Sequence, residues 1–167
     1  MTEQNGIIAG DSIIEGGSII TGDSIIGGGG SGLEIYTWTE AGYRPLVFSH
    51  DWQVALLNWG QAFALDKVER IERHNQTDEV FVLLKGSAAL LTVNAGSGMQ
   101  VAEMQPGQVY NVRQGAWHSL IATPDATWII VENRDTHLHD CEYRPLSAAE
   151  QAYLHAHLPS WASRPGP

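Results

Sequence analysis

Four side chains stand out because their types and spacing could hold a metal ion. Glu72 and His74 sit two residues apart at the end of a strand-like segment, Glu79 opens the next apolar segment after a short polar turn, and His118 closes a later stretch, Gly107 to His118. Residues 72 and 74 share one face of an extended strand by its two-residue alternation. Two imidazoles and a carboxylate with open coordination positions suit Fe(II), Mn(II), Zn(II) or Ni(II) rather than calcium. Open positions would admit water or a bidentate oxygen ligand, which the ion could polarise. Gln76 is a weaker contender, on the same alternation but already in the turn. The bland alternative makes His74 and Glu79 ordinary turn residues and His118 a hydrogen-bonded core histidine beside Trp117.

The elements that must position these groups read as short strands: Ile35–Thr39, Val54–Trp59, Lys67–Arg73, Val80–Lys85, Ala88–Val93, Met99–Met104, Gln108–Val112, Ser119–Ala122 and Thr127–Glu132. Turn signals such as Pro106-Gly107 and Thr123-Pro124-Asp125 separate them. Many short strands at close spacing, with no helical periodicity between them, predict an all-β antiparallel sandwich or barrel. Val80 to Leu84 is apolar on both faces, which suits a strand inside a two-sheet barrel or at a subunit contact. Only the tail departs. Ser147 with Glu150 forms a capping box, and Pro159 stops the helix that follows.

Ahead of this domain lies a tandem repeat with a period of six over residues 7–26, carrying Ile-Ile pairs at 7, 13, 19 and 25. Such a hexapeptide pattern resembles a β-solenoid, and about four units are too few to bury their isoleucines alone. Assembly with other copies or docking on the main domain is the expectation, with disorder as the alternative. Residues 27–32 have a flexible-linker composition, and Leu33-Glu34 has the look of a cloning junction. Residues 1–32 therefore read as an arm fused to a domain that spans 33–146, with the helix and tail at 147–167. A natural glycine-rich hinge is the alternative.

The bulk properties bound the function. The chain has 167 residues, is 43% hydrophobic and carries a formal charge of −10, enough for one sizeable core. No basic patch argues for nucleic acid, and no run approaches the roughly 18 apolar residues of a membrane span. A lone cysteine, Cys141, excludes an intramolecular disulfide and fits a reducing, cytoplasmic compartment.

Residues 72–86 and 107–118 resemble the two motifs of the cupin superfamily. The first family motif is His-x-His, three or four residues, Glu, six residues and Gly; His74, Glu79 and Gly86 fit it at those spacings. The second is Gly, five residues, Pro-x-Gly, two residues, His, three residues and Asn, and Gly107, Gly115 and His118 match it. Glu72 stands where the first histidine belongs, Arg113 replaces the proline and Ala122 the asparagine. The resemblance covers roughly residues 34–135 and implies a small jelly-roll barrel with His74, Glu79 and His118 holding a divalent transition metal. Glu72 is then a fourth ligand, a general base, or a side chain turned away.

On this reading the chain is a metal-dependent enzyme acting on a small oxygen-rich molecule such as a sugar derivative, keto acid or diketone, of isomerase or dioxygenase type. A non-catalytic binding or structural barrel, assembled through the arm, is the other class. The family's usual homodimer is the default oligomer. Trp117 is expected near a pocket, with Tyr110 and Arg113 orienting an anionic substrate; Arg113 reads equally well as a surface charge. His137, His139 and Cys141 follow the last barrel strand and are expected to be exposed or to pack.

Overall fold

The computed structural model describes residues 33–94 and 96–162. The arm and linker of residues 1–32 lie outside them. The described strands are β1 (Gly42–Phe48), β2 (Trp52–Asn58), β3 (Arg70–Arg73), β4 (Glu79–Lys85), β5 (Ala88–Asn94), β6 (Gly98–Glu103), β7 (Val109–Val112), β8 (Trp117–Ala122), β9 (Thr127–Asn133) and β10 (Glu142–Pro145). Helix α1 (Thr136–His139) is one turn, and α2 (Ala148–Ala156) is the tail helix. The strands form two antiparallel five-stranded sheets, ordered β1-β2-β9-β4-β7 and β10-β3-β8-β5-β6. The fold is an all-β jelly-roll barrel with a short C-terminal helix. Among the described residues no helix is long and apolar enough to cross a membrane.

Period-two alternation decides what each strand buries. In the first sheet Ala55 pairs with Ile130, which pairs with Phe81, and Leu57 pairs with Trp128, which pairs with Leu83. All six are buried in the barrel's main core. From the facing sheet, Ala88 and Leu90 of β5 and Leu120 and Ala122 of β8 join them. Each fully buried large aliphatic side chain contributes about 1.5–3 kcal/mol. The intervening residues of the second sheet, among them Ala89, Leu91 and Ile121, face outward and are covered by Leu154 of α2 and by Trp161. Ser147 Oγ accepts the Glu150 N–H, and the Ser147 N–H donates to the Glu150 carboxylate, so the predicted capping box starts α2.

Four elements differ from what the sequence predicts. Ile35–Thr39 is not a strand; the Asn58 amide holds this stretch by donating to the carbonyls of Trp38 and Glu40 instead of a ladder. β1 and β10 are strands beyond those expected, and each contains a proline. Both lie at sheet edges, where a missing N–H breaks no inner ladder, and β1 shifts register between Pro45 and Val47. The Lys67–Arg73 segment begins as a 3-10 turn at Leu65–Lys67 and becomes strand only at Arg70.

At one end of the barrel the inward rows stop being apolar. On β2 the row Leu57, Ala55 ends in Gln53; on β9 the row Trp128, Ile130 ends in Glu132; on β4 the row Leu83, Phe81 ends in Glu79. Gln53 and Glu132 are register partners. On the other sheet, β8 runs from Ala122 through Leu120 to His118, whose register partner is Glu72 on β3.

Candidate metal centre

His74, Glu79 and His118 are 5%, 7% and 1% exposed, and Glu72 is partly buried. The Nε2 atoms of both histidines converge on one oxygen: Glu79 Oε2 lies 3.2 Å from His74 and 2.8 Å from His118. Glu72 Oε1 stands 3.8 Å from His118 Nε2. One ligand atom from each of Glu72, His74 and His118 lies within 4.8 Å of the others, and the same holds for His74, Glu79 and Glu132. Of the four residues singled out from the sequence, Glu72 thus falls in a group with both histidines, and Glu79 lies against both imidazoles.

Each imidazole is bracketed by oxygens. His74 Nδ1 lies 2.6 Å from the backbone carbonyl of Asp140, and His118 Nδ1 lies 3.1 Å from that of Ala116. A carbonyl only accepts, which assigns the Nδ1 proton and turns each Nε2 toward the cavity. A neutral ring would then aim its Nε2 lone pair at the Glu79 carboxylate, which is repulsive. Two arrangements relieve this: a proton on each Nε2, or a cation between them and Glu79. Histidines that donate Nδ1–H to a carbonyl and present Nε2 inward have the second-shell support of metal ligands, so these residues fit a divalent transition metal.

The electrostatics agree. Burial opposes charge on His74, but hydrogen bonding to Cys141 and Glu79 outweighs it and pushes its pKa up to about 12. Burial likewise opposes the His118 cation, yet contact with Glu79, with help from Glu72, raises its pKa. Burial alone would raise Glu79, but the two imidazoles hold it down at about 2. Burial, and then the Glu79 charge, raise Glu72 against the pull of His118.

Around this cluster is a cavity of about 80 Å³. Leu57, Phe63, Phe81, Leu120 and Ile130 form its apolar wall. The polar end holds residues that the sequence reading did not select: Tyr43, Glu132, His137, Cys141 and Tyr143. Glu132 is 5% exposed, and its Oε1 accepts from the Tyr43 hydroxyl and, at 2.9 Å, from the Gln53 amide. Burial first, then the Glu79 charge, push Glu132 up to about 7. Burial holds the His137 imidazole below its ordinary value. Alternation along Trp128, Ile130 and Glu132 was the signal that could have found this glutamate.

The segment after β9 is therefore not merely exposed or packing. Cys141 Sγ sits 3.6 Å from His74 Nδ1, and His137 lines the cavity. Leu138, between them, is exposed.

Trp117, Tyr110 and Arg113 do not line this cavity. Trp117 is adjacent to His118, so alternation sends it to the opposite face, where the Arg73 and Arg144 guanidiniums lie over its ring at 4.6 and 4.9 Å. Tyr110 packs against the main core, with its hydroxyl accepting the Gln105 N–H and donating to Gln108. Arg113 has an 82% exposed side chain 3.5 Å from Asp78.

Neither a scan against protein-family models nor a search of curated proteins finds a match. Solved structures similar to this chain include a cupin-2 domain containing protein from Shewanella frigidimarina, at 21% identity over 58% of this chain and 85% of that one, with a TM-score of 0.45. KdgF from Halomonas sp. is 14% identical over 57% of this chain and 82% of its own, with a TM-score of 0.43. An oxalate oxidase in complex with glycolate is 10% identical over 55% of this chain and 44% of that chain, with a TM-score of 0.39.

Proposed function

We propose that this chain is a metal-binding cupin and an enzyme acting on a small oxygen-rich molecule. One observation carries the reading: two buried imidazoles, each with Nδ1 committed to a carbonyl, turn Nε2 onto the same Glu79 oxygen at 3.2 and 2.8 Å. His74, His118 and Glu79 would hold the ion, with Glu72 at its margin as fourth ligand or general base. A bound divalent ion would supply Lewis acidity toward a ligand oxygen. The apolar wall excludes bulk water from that point, and Glu72, the most solvent-reachable of the four, is the group placed to exchange a proton with a ligand.

A second reading, a non-catalytic binding or structural barrel, is favoured by contacts that need no ion, since both imidazoles already pair with Glu79 Oε2. One measurement separates them. Elemental analysis of the full chain, purified without a polyhistidine tag, is expected to find close to one transition metal per chain, and His118→Ala is expected to lose it. No metal, and none taken up from Fe(II), Mn(II), Zn(II) or Ni(II), would leave the second reading standing.

The homodimer is part of the proposal. Val54, Val131 and Val80 are in register on the outer face of the first sheet, as are Leu56, Ile129 and Val82. Beside them Leu84 and Val109 are 45% and 70% exposed. Light scattering of the full chain and of Val82→Asp tests this face: a dimer that the substitution leaves intact would exclude it as the contact.

A further inference from the structure

The charges around the cavity are one-sided. Its lining contains Glu72, Glu79 and Glu132 and no lysine or arginine. Neighbouring guanidiniums are committed elsewhere: Arg73 to Glu142 at 2.6 Å, Arg144 to Glu150 at 2.7 Å, and Arg70 over the Tyr143 ring at 4.8 Å. Glu72 and Glu79 belong with the imidazoles and offset the two charges of a divalent ion. Glu132 remains, more than nine-tenths buried and facing the cavity. Its two hydrogen bonds, from Tyr43 and Gln53, both go to Oε1; among the described residues Oε2 receives none. Tyr43 and Gln53 thus fix the carboxyl group and leave one oxygen to accept from whatever enters.

We propose that Glu132 is the specificity-determining residue of this cavity, selecting an uncharged small molecule with neighbouring oxygen functions and a hydrogen-bond donor over a carboxylate anion of the same size. The inference rests on the metal-binding reading above. A neutral ligand reaches the ion through oxygen and donates to Glu132 Oε2, and a hydrogen bond to a carboxylate is about twice as strong as one between neutral groups. An anion meets an ion already neutralised by Glu72 and Glu79. Its own charge then lies beside Glu132 in a buried site with no further cation, where unpaired charge is costly.

The test uses the full chain loaded with Co(II) at about pH 8, where the Glu132 carboxyl, held up at about 7, is ionised, and the isosteric probes lactamide and lactate, followed by the visible absorption of the bound Co(II). The aqueous ion prefers the anion. The protein is expected to bind lactamide at least as tightly as lactate, reversing that order. Glu132→Gln, which keeps the shape and an acceptor, is expected to retain one Co(II) per chain and to shift the lactamide-to-lactate affinity ratio toward lactate by about tenfold or more, since like charges side by side cost several kcal/mol. Tighter lactate binding to the wild type, or an unchanged ratio in the variant, overturns the inference and leaves the metal reading intact. Loss of Co(II) in the variant overturns it too, because Glu132 would then be an ion ligand. Failure of the wild type to take up Co(II) overturns the metal reading and this inference with it. The wild-type comparison stands even if the variant does not fold.

Discussion

The Asp140 carbonyl oxygen lies 2.6 Å from His74 Nδ1, 66 residues away in the chain. The Asp140 carboxylate meanwhile accepts the N–H groups of Asn75 and Gln76, at 2.9 and 2.7 Å. One residue from the segment after β9 therefore orients the His74 ring and also clamps the turn that carries it.

Asp140→Ala keeps the carbonyl but releases that turn. Metal affinity is expected to fall about 10- to 100-fold, the range for a lost outer-shell partner, while the barrel stays folded. Metal titration alongside thermal unfolding checks both. Unchanged affinity would show that the ring keeps its place without the carboxylate clamp on the turn.

Metal uptake must displace any proton on the two Nε2 atoms. Against the effect of burial, hydrogen bonding pushes His74 up to about 12, and contact with Glu79 raises His118. Each bound ion is expected to release protons, that of His74 at least, and apparent affinity to strengthen as pH rises. Calorimetry in two buffers of different ionisation enthalpy measures the number.

Gly86 and Gly107 both have left-handed backbone, φ +80 and +79, but only Gly86 is hemmed in. A Cβ there would meet Ala126 Cα at 2.6 Å and its N at 2.7 Å, whereas nothing lies within 4 Å at Gly107. Gly107→Ala is expected to cost about 1–2 kcal/mol from backbone strain. Gly86→Ala adds an overpacking penalty of about 1–3 kcal/mol, because the obstacle is backbone. Urea unfolding of the two variants compares them.

Glu150 caps α2 and pairs with Arg144, whose hydrogen bond holds the Glu150 carboxyl at about 2 against a usual 4.5. A folded-state pKa below the unfolded value gives stability that is full above about 4.5 and lost as pH falls toward about 2. Glu150→Gln is expected to lose about 1 kcal/mol at pH 7, the scale of a cap. The gap to wild type should close in acid, as thermal unfolding across that range would show.

Several of these relationships were legible in the chain before any coordinates. Alternation and glycine turns marked the inner strands, because a strand buried on one side repeats every two residues whatever it pairs with. The same rule placed Glu72 and His74 on one face, and Ser147 with Glu150 declared its helix locally. Read more strictly, the rule would have turned Trp117 away from its neighbour His118 and carried the Trp128–Ile130 row on to Glu132.

Tertiary structure alone decided which polar row-ends meet. Glu79 reaches His118 because two strands 39 residues apart face each other across the barrel. The β3–β8 register sets Glu72 beside His118, and the return of β10 along β3 brings Asp140 and Cys141 to His74. Local sequence specifies the face on which a side chain stands. Where that face points depends on sheet pairings made across the whole domain, and those pairings turn scattered glutamates and histidines into a single site.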